Sequence, residues 1–324
     1  MTFIASVVAK KGVAVIADSL VTSESPILHY SKFVEYLMAQ PDNANGEKLI
    51  NPDNIIELFN SEPVFTKDFE EKLFEFDQFT AITTTGEAYV NSKNIADIVE
   101  EFRTANDGLI KDLQVPIEDK ITMFISFVND QIRAHLMTFE SIGYLVFIIT
   151  HYTPSNHKTI IYKAIIFPAD NSTLTIPEHN YVFLRSEQEW AKVVCDGQNK
   201  ISERVLMGIG KEIYDIFPTF VENILAKLNL PANSVPENFV ETLMNEDYFN
   251  EIFYGDVALL SLNNLSLQQA VDLASLLMRL EVDLQKYTNN IPTVGGVIKL
   301  AVIDKEGFRF IAGDKIEAPK HINY

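Results

Sequence analysis

The chain is expected to be an α+β protein with predominantly antiparallel sheets. Strand-like and helix-like runs are segregated along the sequence, several strand pairs are separated only by short turns, and the helical runs carry one apolar face each. The order reads hairpin, hairpin, two helices, several strands, two helices, final hairpin. A parallel sheet would require strand and helix to interleave.

The first hairpin joins Phe3–Ala9 to Val13–Ala17 across Lys10-Lys11-Gly12, two β-branched and small runs around a turn. Residues 23–70 are punctuated by Pro26, Pro41, Gly46, Pro52 and Pro63 and read as an insertion on the surface. A second hairpin follows, Leu73–Phe76 and Phe79–Thr84 about Asp77-Gln78, ending at Gly86. Ile95, Ile98, Val99 and Phe102 then fall at helical spacing behind Asn91 or Ser92 as cap. A second helix starts at Pro116 and aligns Ile121, Phe124, Ile125, Val128, Ile132 and Leu136. Strands are expected at 144–150, 159–167, 181–184 and 193–195, and a helix from about Lys200 to Ile216. Residues 217–255 look like a second insertion. Ser266-Leu267-Gln268-Gln269 is a capping box opening the last long helix, and strands 297–303 and 308–312 close the chain.

Composition limits the function classes. The 324 residues suffice for about two domains, or for one large domain carrying insertions. Lys plus Arg number 26 against 45 Asp plus Glu, a net charge of −19 that repels phosphate backbones and anionic lipid, so neither nucleic acid nor a membrane is an expected partner. The longest apolar run, Leu145–Ile149, is far too short to span a bilayer. One cysteine, Cys195, excludes an internal disulfide, and the N-terminus lacks the pattern of a secretory leader; a reduced, cytoplasmic protein is expected.

Thr2 follows the initiator methionine, whose removal is favoured by a small second residue. A free threonine amine, with a pKa near ~7.7–8.0, is partly neutral at working pH and can take the proton of its own residue's hydroxyl. If the turn is centred on Lys10, paired positions sum to about 20, placing Asp18 opposite Thr2 or within a residue of it. Asp18 is equally readable as a strand-terminating residue. A threonine nucleophile also needs a fixed cation and an oxyanion donor. Lys72, heading the strand Leu73–Phe76, and the amide of Gly86 are the candidates, with Lys32 or Lys48 as other choices for the lysine.

These residues carry a family resemblance. Thr2–Ser6, Gly12–Ser19, Lys72–Phe74 and Thr83–Gly86, with the Gly295-Gly296 strand and the helix at Ser266, resemble the catalytic half and closing elements of proteasome β-subunits and their bacterial relatives. Those are N-terminal-nucleophile threonine peptidases. The resemblance implies a single domain over 1–324 with insertions at 23–70 and 217–255, built as a four-layer αββα sandwich. It further implies Thr2 as nucleophile, Asp18 and Lys72 as the groups that tune it, and Gly86 as oxyanion donor, with no cofactor or metal. A peptide or protein is the implied substrate and a homo-oligomer the implied assembly; an ATPase partner is left open. Two positions differ from the family pattern. Asn289–Val294 stands where an aspartate and a serine precede the Gly-Gly pair, and Gly197-Gln198-Asn199 stands where Gly-Ser-Gly precedes the third helix. An inactive structural or regulatory subunit, or an amidohydrolase acting on a small molecule, are the alternatives.

Other motifs have plainer readings. His151 and His157 lack metal-ligand spacing, Gly208-Ile209-Gly210-Lys211 lacks the rest of a phosphate loop and falls in a helical pattern, Cys195 reads as a buried thiol, and Phe124, Phe127 and Phe139 read as core.

Overall fold

The computed structural model describes residues 2–43, 45–46, 48–67, 70–139, 141–166, 169–170, 180–183, 193–208, 210–228, 264–287 and 291–312, with residues 236, 239, 242 and 262 between them. Its elements are β1 (Phe3–Ala9), β2 (Gly12–Ala17), β3 (Val21–Ile27), α1 (Tyr30–Ala39), α2 (Pro52–Ile56), β4 (Asn60–Lys67), β5 (Leu73–Asp77) and β6 (Thr80–Gly86). There follow β7 (Tyr89–Val90), β8 (Lys93–Asn94), α3 (Ile95–Ala105), α4 (Asp107–Lys111), α5 (Ile117–Leu136), β9 (Ser141–Ile142), β10 (Leu145–Thr153) and β11 (Lys158–Ile166). The remainder are β12 (Ala169–Asp170), β13 (Asn180–Phe183), β14 (Val193–Gly197), α6 (Lys200–Met207), α7 (Lys211–Lys227), α8 (Leu267–Leu284), β15 (Lys299–Asp304) and β16 (Gly307–Ala312). The chain is thus α+β, with antiparallel ladders between its strands.

Two five-stranded sheets dominate, ordered β14-β1-β2-β15-β16 and β13-β11-β10-β6-β5. One face of each contributes to a shared core: Ile4, Val13 and Val15 from the first meet Leu73, Val146 and Ile148 from the second. A buried hydrogen bond between Ser6 Oγ and Thr150 Oγ1, 2.7 Å long, satisfies both hydroxyls within that core. The opposite face of the first sheet packs Phe3, Ala14 and Ile16 against Ala270, Ala274 and Leu277 of α8. The opposite face of the second packs Phe76, Ile82 and Phe147 against Ile98 and Phe102 of α3 and Phe124 and Val128 of α5. β1 and β2 are covered on both faces, which is why they are buried throughout rather than alternating and are apolar apart from the hydrogen-bonded Ser6 and the glycine that opens β2. Inside the second core, Lys120 of α5 donates to Asp77 Oδ2 (3.0 Å) and the Ile110 carbonyl (2.8 Å), so its buried ammonium is partnered.

Several expectations are corrected. The cap of α3 is Asn94, whose side chain accepts from the Asp97 amide, while Asn91 and Ser92 adopt left-handed conformations (φ 51° and 62°) that turn the chain between β7 and β8. The helix expected over 200–216 is two, because Gly208 ends α6 in a left-handed conformation (φ 78°) and Gly210 caps α7. Phe139 is exposed and stacks on His135 instead of joining the core. The capping box at Ser266 and Gln269 forms as read. Within 23–70, β3 and β4 pair as an antiparallel ladder that carries α1 and α2, and α1 has no buried residue. Beyond residue 228, the stretch 217–255 lies outside the described residues except for 236, 239 and 242, as do Met1 and Asn289-Asn290.

Candidate functional site

The first hairpin sets the geometry. Its turn is the two residues Lys10 and Lys11, so Ala9 pairs with Gly12 and Ile4 with Ala17, and paired positions sum to 21. Asp18 therefore lies beside Phe3, one position from Thr2: its amide donates to the Phe3 carbonyl (3.2 Å) and its Oδ1 accepts from the Phe3 amide (3.2 Å). Thr2, immediately before β1, is buried, as is Asp18.

Lys72 arrives from the other sheet, just ahead of β5. Its ammonium donates to Thr2 Oγ1 at 2.6 Å, to Asp18 Oδ1 at 3.1 Å and to the Leu20 carbonyl at 2.5 Å, so all three of its donors are used. The Thr83–Lys72 region is fixed by β6, where the Thr84 amide donates to the Lys72 carbonyl (3.1 Å). Burial acts on both charged groups, pushing the Asp18 carboxyl up and the Lys72 ammonium down from their ordinary values; their mutual contact and the amides on Asp18 act in the opposite direction. Lys32 and Lys48 are elsewhere: Lys32 donates to Asn60 Oδ1 (2.9 Å) and Lys48 pairs with Asp42 (3.0 Å), both within the β3–β4 excursion.

The closing loop completes the support of Asp18. Gly295, 277 positions away, donates its amide to Asp18 Oδ2 at 3.0 Å, and its carbonyl accepts from the Ser19 and Leu20 amides (3.1 and 3.2 Å). Gln285, following α8, holds that loop by accepting from the amides of Thr293 (2.5 Å) and Val294 (3.2 Å). Sequence reasoning assigned no role to Leu20, Gln285 or Gly295. The Gly295-Gly296 pair was a visible signal of close backbone approach, whereas a glutamine after a helix carries none.

On the other side, the Thr2 carbonyl accepts from the Gln198 amide at 2.6 Å. Gly197 (φ 86°) is required there, since a Cβ would fall 1.9 Å from the Thr2 carbonyl oxygen. Gly197→Ala is therefore expected to lower stability by about 2–3 kcal/mol in a urea titration, by backbone strain and displacement of Thr2. Gly86 (φ 98°) is equally constrained, with a Cβ 1.9 Å from the Tyr144 carbonyl oxygen.

A cleft of about 710 Å³ opens onto these groups, with Thr2, Lys72, Gly86 and Gly197 in its lining, together with Glu70, Thr84 and Tyr89. The structure thus brings Thr2, Asp18 and Lys72 into one hydrogen-bonded cluster and sets Gly86 in the same cleft. Chemically this is a hydroxyl held against a buried ammonium, with backbone fixed on both sides. Cys195 is not part of it: burial pushes its thiol up to about 12, and it is half-buried beside Asn199. His151 and His157 bond Thr80 and Tyr152 separately (2.8 and 2.7 Å), and among the described residues no group of three His, Cys, Asp or Glu side chains is placed to hold a metal. No helix among the described residues is long and apolar enough to cross a membrane.

No family model matches the chain, and no curated protein matches it.

Proposed function

We propose that the chain is a threonine-type N-terminal-nucleophile amide hydrolase acting on peptides, with Thr2 as nucleophile once Met1 is removed. The observation that carries this reading is the 2.6 Å contact between the Lys72 ammonium and Thr2 Oγ1, made inside a cleft and completed by Asp18. The shared core between two sheets, with helices against each outer face, supports assignment to the αββα sandwich of that hydrolase class.

In this mechanism Thr2 Oγ attacks the scissile carbonyl carbon and its proton passes to the Thr2 amine, directly or through one water. Lys72 stabilises the developing alkoxide, and Asp18 holds Lys72 in place. The carbonyl oxygen, now an oxyanion, accepts from the Gly86 amide. The C–N bond then breaks, the departing amine takes the proton from the Thr2 ammonium, and an ester to Thr2 remains. Water, deprotonated by the same amine, attacks the ester and regenerates the hydroxyl. No cofactor or metal enters any step. The helical faces are the surfaces through which a homo-oligomer would assemble, in a reduced, cytoplasmic setting.

The reading is tested with fluorogenic peptide amides: wild type is expected to release the amine, at a rate that rises with pH as the Thr2 amine loses its proton. An inactive structural subunit is favoured by Gly197-Gln198-Asn199 and Asn289–Val294 standing where the family carries hydroxyl and carboxylate supports. That reading predicts retained Met1 and no amine release, and a small-molecule amidohydrolase predicts turnover of short amides alone.

A further inference from the structure

We propose that Glu281 and Gln285, one helical turn apart at the end of α8, are positioning residues of the Thr2 site. Glu281 acts through the wall that holds the Thr2 backbone, and Gln285 through the wall that holds Asp18 and Lys72. This rests on the hydrolase reading above and adds the residues that keep its reacting groups in register. Neither side chain lines the cleft.

The Glu281 side starts at α6. A helix leaves its first amides without intrahelical partners, and the residue in the cap position ordinarily serves them. Asn199 holds that position, but its side chain makes no cap bond and donates to Glu203 Oε1 instead (2.7 Å). Glu281 supplies the missing acceptor: its Oε1 takes the Ile201 and Ser202 amides at 3.1 and 2.7 Å, a carboxylate against the positive end of α6. The residue is only 3% exposed, and burial pushes its carboxyl up while those amides act against the shift. As packing alone a buried carboxylate is a poor choice, whereas its two hydrogen bonds set where α6 begins. Immediately upstream, the Gln198 amide donates to the Thr2 carbonyl at 2.6 Å, so the start of α6 fixes the Thr2 backbone.

The Gln285 side runs through the closing loop. Its Oε1 accepts from the Thr293 and Val294 amides and the Thr293 hydroxyl (2.5, 3.2 and 3.3 Å). Its Nε2 donates to the Glu281 carbonyl at 2.8 Å, which ties the two residues into one turn. The next amide along the loop, Gly295, is the one on Asp18 Oδ2, and the Gly295 carbonyl accepts from Leu20, whose own carbonyl receives the Lys72 ammonium. A displacement at the end of α8 therefore reaches the Thr2 hydroxyl through Lys72 and the Thr2 backbone through Gln198. A misplacement of about 1 Å at reacting groups is enough to cost ~100-fold in rate.

The test compares Glu281→Leu and Gln285→Met, which fill the space without the acceptor, with Glu281→Gln and Gln285→Glu, which keep it. Each protein is followed by peptide-amide turnover, by labelling with a threonine-directed electrophile, and by hydrogen exchange over 197–202 and 293–297. The first pair is expected to lower kcat and labelling by about 10- to 100-fold with KM within about twofold. Exchange should quicken at 197–202 in Glu281→Leu and at 293–297 in Gln285→Met. The second pair should stay within about threefold of wild type in both rates. Wild-type rates in the first pair, or an equal loss in the second, overturn this inference while leaving the hydrolase reading intact. A wild-type protein that neither turns over nor labels counts against the hydrolase reading. Exchange then decides the inference by itself: quickening at the two segments supports it, and unchanged exchange overturns it. Should the first pair fail to fold, wild-type exchange decides: slow exchange of the Ile201, Ser202, Thr293 and Val294 amides is expected, and fast exchange there overturns the inference.

Discussion

On the proposed mechanism, replacing Thr2 by alanine is expected to lower amide hydrolysis at least ~1,000-fold, because that mechanism makes its hydroxyl the attacking group. The effect on stability should be small by comparison. Thr2 Oγ1 accepts one of three Lys72 donors, and its loss leaves one buried N–H unsatisfied, a cost of about 1–3 kcal/mol. Alanine is also small, so removal of Met1 should proceed as in wild type. The comparison therefore isolates the hydroxyl from the amine. Thr2→Ser restores the oxygen and should restore reaction, and a serine variant as inert as alanine would argue that the hydroxyl has only a structural role.

The second large effect is expected at the buried pair. In Lys72→Met, Asp18 keeps its two backbone donors but loses its cation at a position whose side chain is fully buried. Removing one partner of such a pair costs about 3–5 kcal/mol, read from the urea midpoint. Covalent labelling of Thr2 should slow by ~100-fold or more, since the positive charge beside the proposed nucleophile is gone. Asp18→Asn tests the same link from the other end: burial alone already holds the Lys72 proton less tightly than in water, and losing the carboxylate leaves that pull unopposed by its strongest partner. The double variant should recover stability relative to either single change, because no unpaired charge remains, without recovering labelling. Wild-type labelling in Lys72→Met would remove Lys72 from the chemistry.

How much of this was legible in the sequence depended on the range of each interaction. The first hairpin could be read locally because β1 and β2 join across a two-residue turn, and the error of one in the register sum moved Asp18 from opposite Thr2 to opposite Phe3. Lys72 was separable from Lys32 and Lys48 only by its place ahead of β5, and the β3–β4 ladder explains why that works: the intervening residues leave and return as a paired excursion. The cap at Asn94 was misplaced because Asn91 and Ser92 also suit a left-handed turn, so residue type alone did not distinguish cap from turn. The break at Gly208 carried its own glycine signal, overridden by the apolar periodicity on either side. Gln285 and Gly295 act on Asp18 only through closure of the chain's two ends, and no local pattern encodes a contact across 277 positions.

The central claim is that a freed Thr2 is a nucleophile. Intact-mass spectrometry of the purified protein, before and after exposure to a threonine-directed electrophile, tests it most directly. The account predicts a chain lacking Met1 that gains one adduct, mapped to Thr2 and missing in Thr2→Ala. A chain that retains Met1 and gains no adduct, or an adduct that persists in Thr2→Ala, would contradict it.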